Sequence, residues 1–301
     1  MAGVITTGNH PKLMWPGVKA LWGRSYNEYP LECLDLFTQD TSSQNYEEDV
    51  EVTGFGLAPV KNEGASVAFD SETQGTISRY THASIALGYI VTQEELDDNL
   101  YEAKSKPRAM ANAFSMRQTK EVIGANIYNN GFTSGLGGDG VVLFSASHPT
   151  RSGNQSNVLT SADLSEAALE DACIQISLAK NSRGLTIALQ PRSLHIHPND
   201  WFEANRILKS VLQNDTANNA VNALKATNAL PQGIKVNHYF TDTDAWFLRT
   251  NAPRGMIHYT RKKVAFTRDN DFNTGNAKAK AWERYSDGWS DWRGAYGNQG
   301  A

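Results

Sequence analysis

Several large functional classes leave no mark on this sequence. In 301 residues it has two cysteines, Cys33 and Cys173, far apart and outside any metal-ligand spacing. That excludes a disulfide framework and points to a reducing compartment such as the cytosol. No stretch approaches the ~18 apolar residues of a membrane helix. The first 15 residues lack a basic segment followed by an apolar run, so no secretory leader is expected. Without a secretory route, the sequons Asn154-Gln155-Ser156 and Asn214-Asp215-Thr216 carry no weight. Positive charge is not in excess either: 28 Lys and Arg stand against 32 Asp and Glu, a net charge of -4. The whole chain therefore shows no electrostatic footprint for tight phosphate binding. Its basic cluster, Arg261-Lys262-Lys263, reads as a solvated turn, since three charges release too few counterions to hold DNA alone. No internal repeat is visible.

What is present is the composition of a folded protein, 40% apolar and 20% charged, long enough for one elaborated domain or two ordinary ones. Residues 1–45 mix Gly, Pro and aromatics without sustained period and resemble an extended arm. From Val50 a spacing of two takes over (Val50, Val52; Ala65, Val67, Phe69; Ile85, Leu87, Tyr89, Val91), with turn formers at 59–64 and 70–75, which reads as a protruding β-hairpin. Thr92 with Glu95 is a capping-box pair that starts a helix. Pro107 opens a second helix through Asn129, interrupted by no glycine but Gly124 and about 35 Å long. Further helices are expected at Ser165 to Lys180 and at Asp200 to Leu212, the latter with Glu203 as capping partner. Residues 213–230 read as surface helix and loop. Strands are expected at Leu185 to Ile196, Ile234 to Phe240, Ala245 to Leu248 and Met256 to Tyr259. The tail aromatics Trp282, Tyr285, Trp289, Trp292 and Tyr296 read as core or subunit-contact anchors, not as a base-stacking platform.

Four motifs imitate catalytic or binding sites and fail in context. Gly135-Leu136-Gly137-Gly138-Asp139-Gly140 satisfies the dinucleotide pattern, but it follows a helix and opens a strand, the reverse of what a pyrophosphate needs. Ser145-Ala146-Ser147-His148 places hydroxyls beside an imidazole without a nucleophile elbow. His195 and His197 share one side of a strand, and His238 or His258 could complete a zinc site, yet no acidic or Cys ligand supports the spacing. Asp269-Asn270-Asp271-Phe272-Asn273 begins like a calcium loop, but Thr274 and Lys280 stand where Gly and Glu are needed. No catalytic, cofactor-binding or metal residue is assigned.

Short segments in a fixed order resemble the major capsid proteins of tailed phages, the Hong Kong 97-type fold: Gly54-Phe55-Gly56 with Pro59-Val60; Leu143 to Pro149; Leu164 to Leu169; Pro191 to Pro198; Ala204 to Ser210; and Asp291-Trp292-Arg293-Gly294. The resemblance runs from about residue 10 to the end. It implies an α+β fold with an N-terminal arm (1–45), an extended hairpin loop (46–91), a peripheral domain (92–184) with its spine helix at 107–130, an axial domain (185–255), and a return to the peripheral domain (256–301). It further implies a structural, non-enzymatic subunit that forms hexamers and pentamers of an icosahedral head around double-stranded DNA, which it contacts non-specifically. Assembly would take place in the host bacterial cytoplasm, with portal protein and optional decoration protein as partners and no membrane. Some relatives begin with a scaffolding segment; here arm-like sequence starts at once, so a separate scaffolding protein is expected. Some relatives also cross-link through Lys and Asn. Lys61 lies on the hairpin, but no matching Asn and Glu can be picked out, and the bond is not expected. Three other readings stay open: an encapsulin-like shell with protein cargo, a metal-dependent or serine hydrolase on the His or Ser clusters, and another virion component such as a tail protein.

Overall fold

Val18, Trp22 and Tyr26 recur at intervals of four, which stacks them on one helix face. Pro11–Tyr26 is indeed helix α1 in the computed structural model, which describes residues 11–92, 94–95, 106–212, 220–271 and 274–301. The segment read as an extended arm thus contains a 16-residue helix. Pro16, Gly17 and Gly23 mask its period, and packing holds it more than propensity does. All three side chains are buried, with Trp22 stacked on Tyr26 (ring centroids 5.2 Å apart) and on Phe266 (5.1 Å).

Four strands follow: β1 (Thr38–Thr41), β2 (Tyr46–Val52), β3 (Gln74–Thr81) and β4 (Ala83–Val91). The Thr92 hydroxyl accepts from Glu95 N–H at 3.4 Å, as a cap should; the rest of that expected helix lies outside the described residues. Next come α2 (Lys106–Asn129), the short ribbon β5 (His148–Thr150) with β6 (Gly153–Gln155), α3 (Glu166–Ser177), β7 (Pro191–Ile196), α4 (Trp201–Lys209) and α5 (Ala223–Ala226). The chain closes with β8 (Ile234–Val236), β9 (Trp246–Thr250), β10 (Met256–Asn270), β11 (Ala277–Trp289) and β12 (Ala295–Asn298).

Two four-stranded sheets organise these elements, in the orders β1-β10-β11-β4 and β12-β9-β7-β8. The helix α2 bridges them. Its N-terminal half, through Ala109, Ala113 and Met116, packs with α1 on Phe266, Ala279 and Ala281 of the first sheet. Tyr128 at its other end is fully buried among Phe37, Phe144, Phe240 and Phe247 and donates its hydroxyl to Leu36 O at 3.1 Å. Gly124 is dictated by packing: a Cβ there would sit 2.7 Å from Cys33 Cβ. The second sheet is covered by α3, α4 and α5, with Leu169, Ile176, Ala204, Ile207 and Leu224 meeting Leu194, Ile196, Trp246 and Leu248. Charge also crosses the interior. Lys120 Nζ lies 3.3 Å from Glu283 Oε2, Tyr26 donates to the same carboxylate at 3.4 Å, and Glu121 accepts from the N–H groups of Glu32 and Cys33.

Several boundaries differ from the sequence expectation for local reasons. The run Leu185 to Ile196 becomes strand only from Pro191, because Ala188 adopts a left-handed φ of 49°. Asp200 does not cap α4 with its side chain. The chain enters through a 3-10 turn, Pro198–Asp200, in which His197 accepts from Asn199 N–H. The helix then ends at Lys209, where Ser210 turns to ψ 143°. Ala65, Val67 and Phe69 alternate but join no strand ladder, and residues 53–73 form an irregular loop. Lys262 and Lys263 are not a turn; they sit at a bulge within the 15-residue β10.

Candidate assembly surfaces and the buried hub beneath them

The hairpin presents apolar side chains to solvent. β2 and β3 pair antiparallel from Tyr46↔Thr81 to Val52↔Gln74, and the loop beyond them leaves Phe55, Leu57, Val60, Val67 and Phe69 uncovered. Val60 is 94% and Phe69 95% exposed. A monomer has no reason to present so much contiguous apolar surface. The loop is nevertheless tied down at one point. Asp70 accepts from Gly56 N–H and Ser71 N–H (both 2.8 Å) and pairs with Arg183 Nη1 at 2.6 Å, while Arg183 Nη2 donates to Ser71 O. Those two amides, and after them Arg183, hold the Asp70 carboxyl below its ordinary range. A depressed carboxyl pKa means the latch is complete above the ordinary value and fails only as pH falls through the lowered one. Chymotryptic cleavage after Phe69, taken relative to a flexible peptide substrate at the same pH, is therefore expected to be equally slow at pH 5 and pH 7, and Arg183→Ala should accelerate it at both. Digestion followed by mass spectrometry reads the outcome directly.

Beneath the hairpin, two of the segments that resemble phage capsid proteins come together although they are distant in sequence. His148 stacks on Trp292 (centroids 4.3 Å apart, planes at 6°), and both its ring nitrogens face acceptors, Asp139 Oδ2 at 2.6 Å and Asn157 Oδ1 at 3.1 Å. Asn157, with no solvent exposure, joins them. Its Oδ1 also accepts from Ser145 N–H (3.0 Å), and its Nδ2 faces the carbonyls of Leu143 (2.8 Å), Ala295 (3.0 Å) and Trp292 (3.2 Å). Arg293 closes the knot by donating to Lys180 O and Gln155 Oε1. The Gly135–Gly140 segment serves the same packing. No helix follows it, and Gly138 lies so close to β3 that a Cβ would stand 2.6 Å from Ile77 O. Asp139, from that loop, is the His148 partner.

The serine hydroxyls and the imidazole here have separate partners. Ser147 Oγ accepts from Asn154 Nδ2 at 2.6 Å and Ser145 Oγ from Ser147 N–H, while the two ring nitrogens of His148 bond Asp139 and Asn157. A neighbouring cleft of about 300 Å³, lined by Asp49, Thr76, Asp139, Arg254 and Trp289, has its carboxylates occupied: Asp49 accepts from Ser290 Oγ and pairs with Arg254. The histidines are likewise dispersed. His195 is buried beside Ser193 Oγ (2.8 Å), His238 bonds Glu32, and His258 bonds Asp287. Among the described residues no group of three or more potential metal ligands converges. The Asp269–Asp271 stretch ends β10, with Asp271 paired to Lys278; residues 272–273 lie outside the described set. Asn157 and Arg183, which hold the hub and the loop, carry no sequence signal that marks them.

His195 has an energetic consequence instead of a catalytic one. Burial first, then the charges of Arg249 and Lys235, push its pKa down to about 3. A histidine depressed in the folded state supports the fold fully above its unfolded value near 6.5, and that support is lost as pH falls from there toward 3. His195→Gln is expected to remove this component, flattening the acid limb of stability against pH by up to about 1.4 kcal/mol per pH unit between 6 and 4. Denaturant titrations across that range measure the slope.

A family model for phage capsid proteins matches residues 76–298. No curated protein matches the chain in sequence. Among solved structures, a chain from Mycobacterium phage Patience is similar with a TM-score of 0.54 at 11% identity, covering 100% of this chain and 90% of that one. The capsid of Myoviridae phage XM1 has a TM-score of 0.53 at 9% identity, covering 90% and 92%. The virus-like particle from Pyrococcus furiosus has a TM-score of 0.53 at 12% identity, covering 94% and 98%. Such identities speak for the fold alone, and the fold is the Hong Kong 97-type capsid fold that the ordered segments implied. The family match spans most of the hairpin's second strand, every strand of the two four-stranded sheets except β1, and the hub, and the chain belongs to the phage capsid protein family.

Proposed function

We propose that this capsid shell protein is the major head protein of a tailed phage. In this reading it assembles into hexamers and pentamers of an icosahedral shell around double-stranded DNA and catalyses no reaction. The observation that carries the reading is the hairpin: its large apolar side chains find no cover on their own subunit, so a neighbouring copy is what would bury them. Residues 1–45 would act as the arm, 46–91 as the intersubunit loop, 92–184 with 256–301 as the peripheral domain, and 185–255 as the axial domain. A separate scaffolding protein would set shell size in the host cytoplasm, a portal would occupy one vertex, and a decoration protein is an optional addition.

The likeness to a virus-like particle favours one second reading, a shell that encloses protein cargo. Negative-stain microscopy of the full chain co-expressed with its candidate scaffold tests both. Closed shells are expected; a stable small oligomer without shells under all conditions overturns the proposal. Nucleic acid inside purified particles supports a phage head, whereas a stoichiometric protein cargo supports the compartment.

A further inference from the structure

The register of β10, β11 and β4 turns a three-residue basic cluster into a broader surface. Residues directly opposite in an antiparallel pair share a face, and the pairs Lys262↔Arg284, Ala265↔Trp282 and Thr267↔Lys280 therefore lie on one side of the sheet, continued on β4 by Ser84, Ala86 and Gly88. The opposite side carries Phe266, Ala279 and Ala281 and is covered by α1 and α2. No described element covers the first side: Ser84, Ala86, Gly88, Lys262, Lys263, Ala265, Thr267 and Lys280 are exposed, with Trp282 and Arg284 partly so.

Its charge is one-sided. Lys278, at one end, is neutralised by Asp271 at 2.7 Å, with Asp269 opposite it. Toward the other end, among the described residues, Lys262, Lys263 and Lys280 form no ion pair and Arg284 donates to the neutral Asn45 amide at 2.8 Å. Arg261 and Arg284 both have a buried Nε without an acceptor. Their charge is also felt nearby: burial first, then Arg284, with Arg261 adding and Glu47 opposing, lowers the His82 imidazole.

We infer that this open sheet face, centred on Lys262, Lys263, Lys280 and Arg284, binds the phosphate backbone of the enclosed nucleic acid without reading its sequence. The inference rests on the capsid reading above and names the surface it would use. Chemistry favours a polyanion over a protein. Stable protein contacts are poor in lysine, whereas three exposed lysines dominate this face; its large side chains are the half-buried Trp282 and, at the Lys278 end, Ile90. The dimensions fit as well. Lys280 and Arg284, four residues apart on one strand, are separated by about 13 Å, comparable to the ~12 Å width of a DNA major groove, so the two ends can reach phosphates on either side of it. One subunit offers few such groups, but a shell repeats the face many times and gains by effective concentration.

The test uses the full chain and a 30-base-pair duplex of mixed sequence, with fluorescence anisotropy recorded from low to physiological NaCl. Wild type is expected to bind at low salt. Combined Lys262→Gln, Lys263→Gln and Lys280→Gln should weaken binding at least tenfold and lower the slope of log K against log salt by about 2 to 3, near 0.9 for each phosphate no longer neutralised. A control carrying Lys19→Gln, Lys209→Gln and Lys225→Gln, all exposed elsewhere, should match wild type. An unchanged slope in the first variant, or no duplex binding by wild type, overturns the inference. Microscopy of the same preparations keeps the two readings apart: wild-type shells with an unaltered slope leave the capsid reading standing and remove this one. Loss of shells in the variant with duplex binding intact would instead assign the face to an acidic surface of a second copy, and would also overturn it.

Discussion

Replacing Asn157 by Ala is expected to destabilise the subunit by about 3 kcal/mol or more, among the larger single-residue effects in this chain. The side chain is small and no cavity of consequence is created, so hydrogen bonding sets the magnitude. Removing the amide strands the Ser145 N–H, one nitrogen of His148 and the carbonyls of Leu143, Trp292 and Ala295. Each buried polar group left without a partner costs about 1–3 kcal/mol, and partial relaxation keeps the total below the sum. Asn157→Asp preserves shape and volume yet should be worse than Ala, because a carboxylate oxygen would then point at three carbonyl oxygens. Urea unfolding of Asn157→Ala and Asn157→Asp beside wild type gives the ranking. Asp less destabilising than Ala would mean that the three carbonyls are not what the amide holds.

The same hub shows what sequence reading can and cannot reach. The segments around His148 and Trp292 stand out by their order and resemblance, but that they meet, and that Asn157 joins them, depends on chain reversals that no local pattern encodes. The long helix α2 is legible because uninterrupted helix formers bounded by Pro107 and Asn130-Gly131 are a local signal. The N-terminal helix is not, since its stability comes from Trp22 stacking on Phe266, a contact across most of the chain. The long β10–β11 pair largely escapes a linear reading for another reason. Its inward positions Ala277, Ala279 and Ala281 are buried but are poor β-formers, so the alternation is there without the residue types that normally announce it. The basic triplet shows the effect of register most clearly: as sequence it is three charges, and only strand pairing brings Arg284 and Lys280 onto the same face. The failed motifs, by contrast, are readable from context, because whether a glycine pattern precedes or follows a helix is already in the linear order.

Introducing Val60→Asp together with Phe69→Asp is expected to abolish shell formation while leaving the subunit folded. Both side chains are almost wholly exposed, so the isolated chain loses no buried apolar area and its stability should stay within the roughly ±0.5 kcal/mol scatter of ordinary surface substitutions. In an assembled shell the same positions would meet a neighbour. Burying a carboxylate there without a partner costs several kcal/mol for each ion, and every copy repeats the penalty. Since each intersubunit interface adds to the closing of the shell, a weakening of even about 1.4 kcal/mol is a factor of 10 at each one, and a closed particle multiplies it. Thermal unfolding of the double variant should therefore overlay wild type, while sedimentation and microscopy show only unassembled subunits or small oligomers. Shells formed at wild-type yield would mean that the hairpin's apolar surface is not buried between subunits, and would leave its exposure without a physical reason.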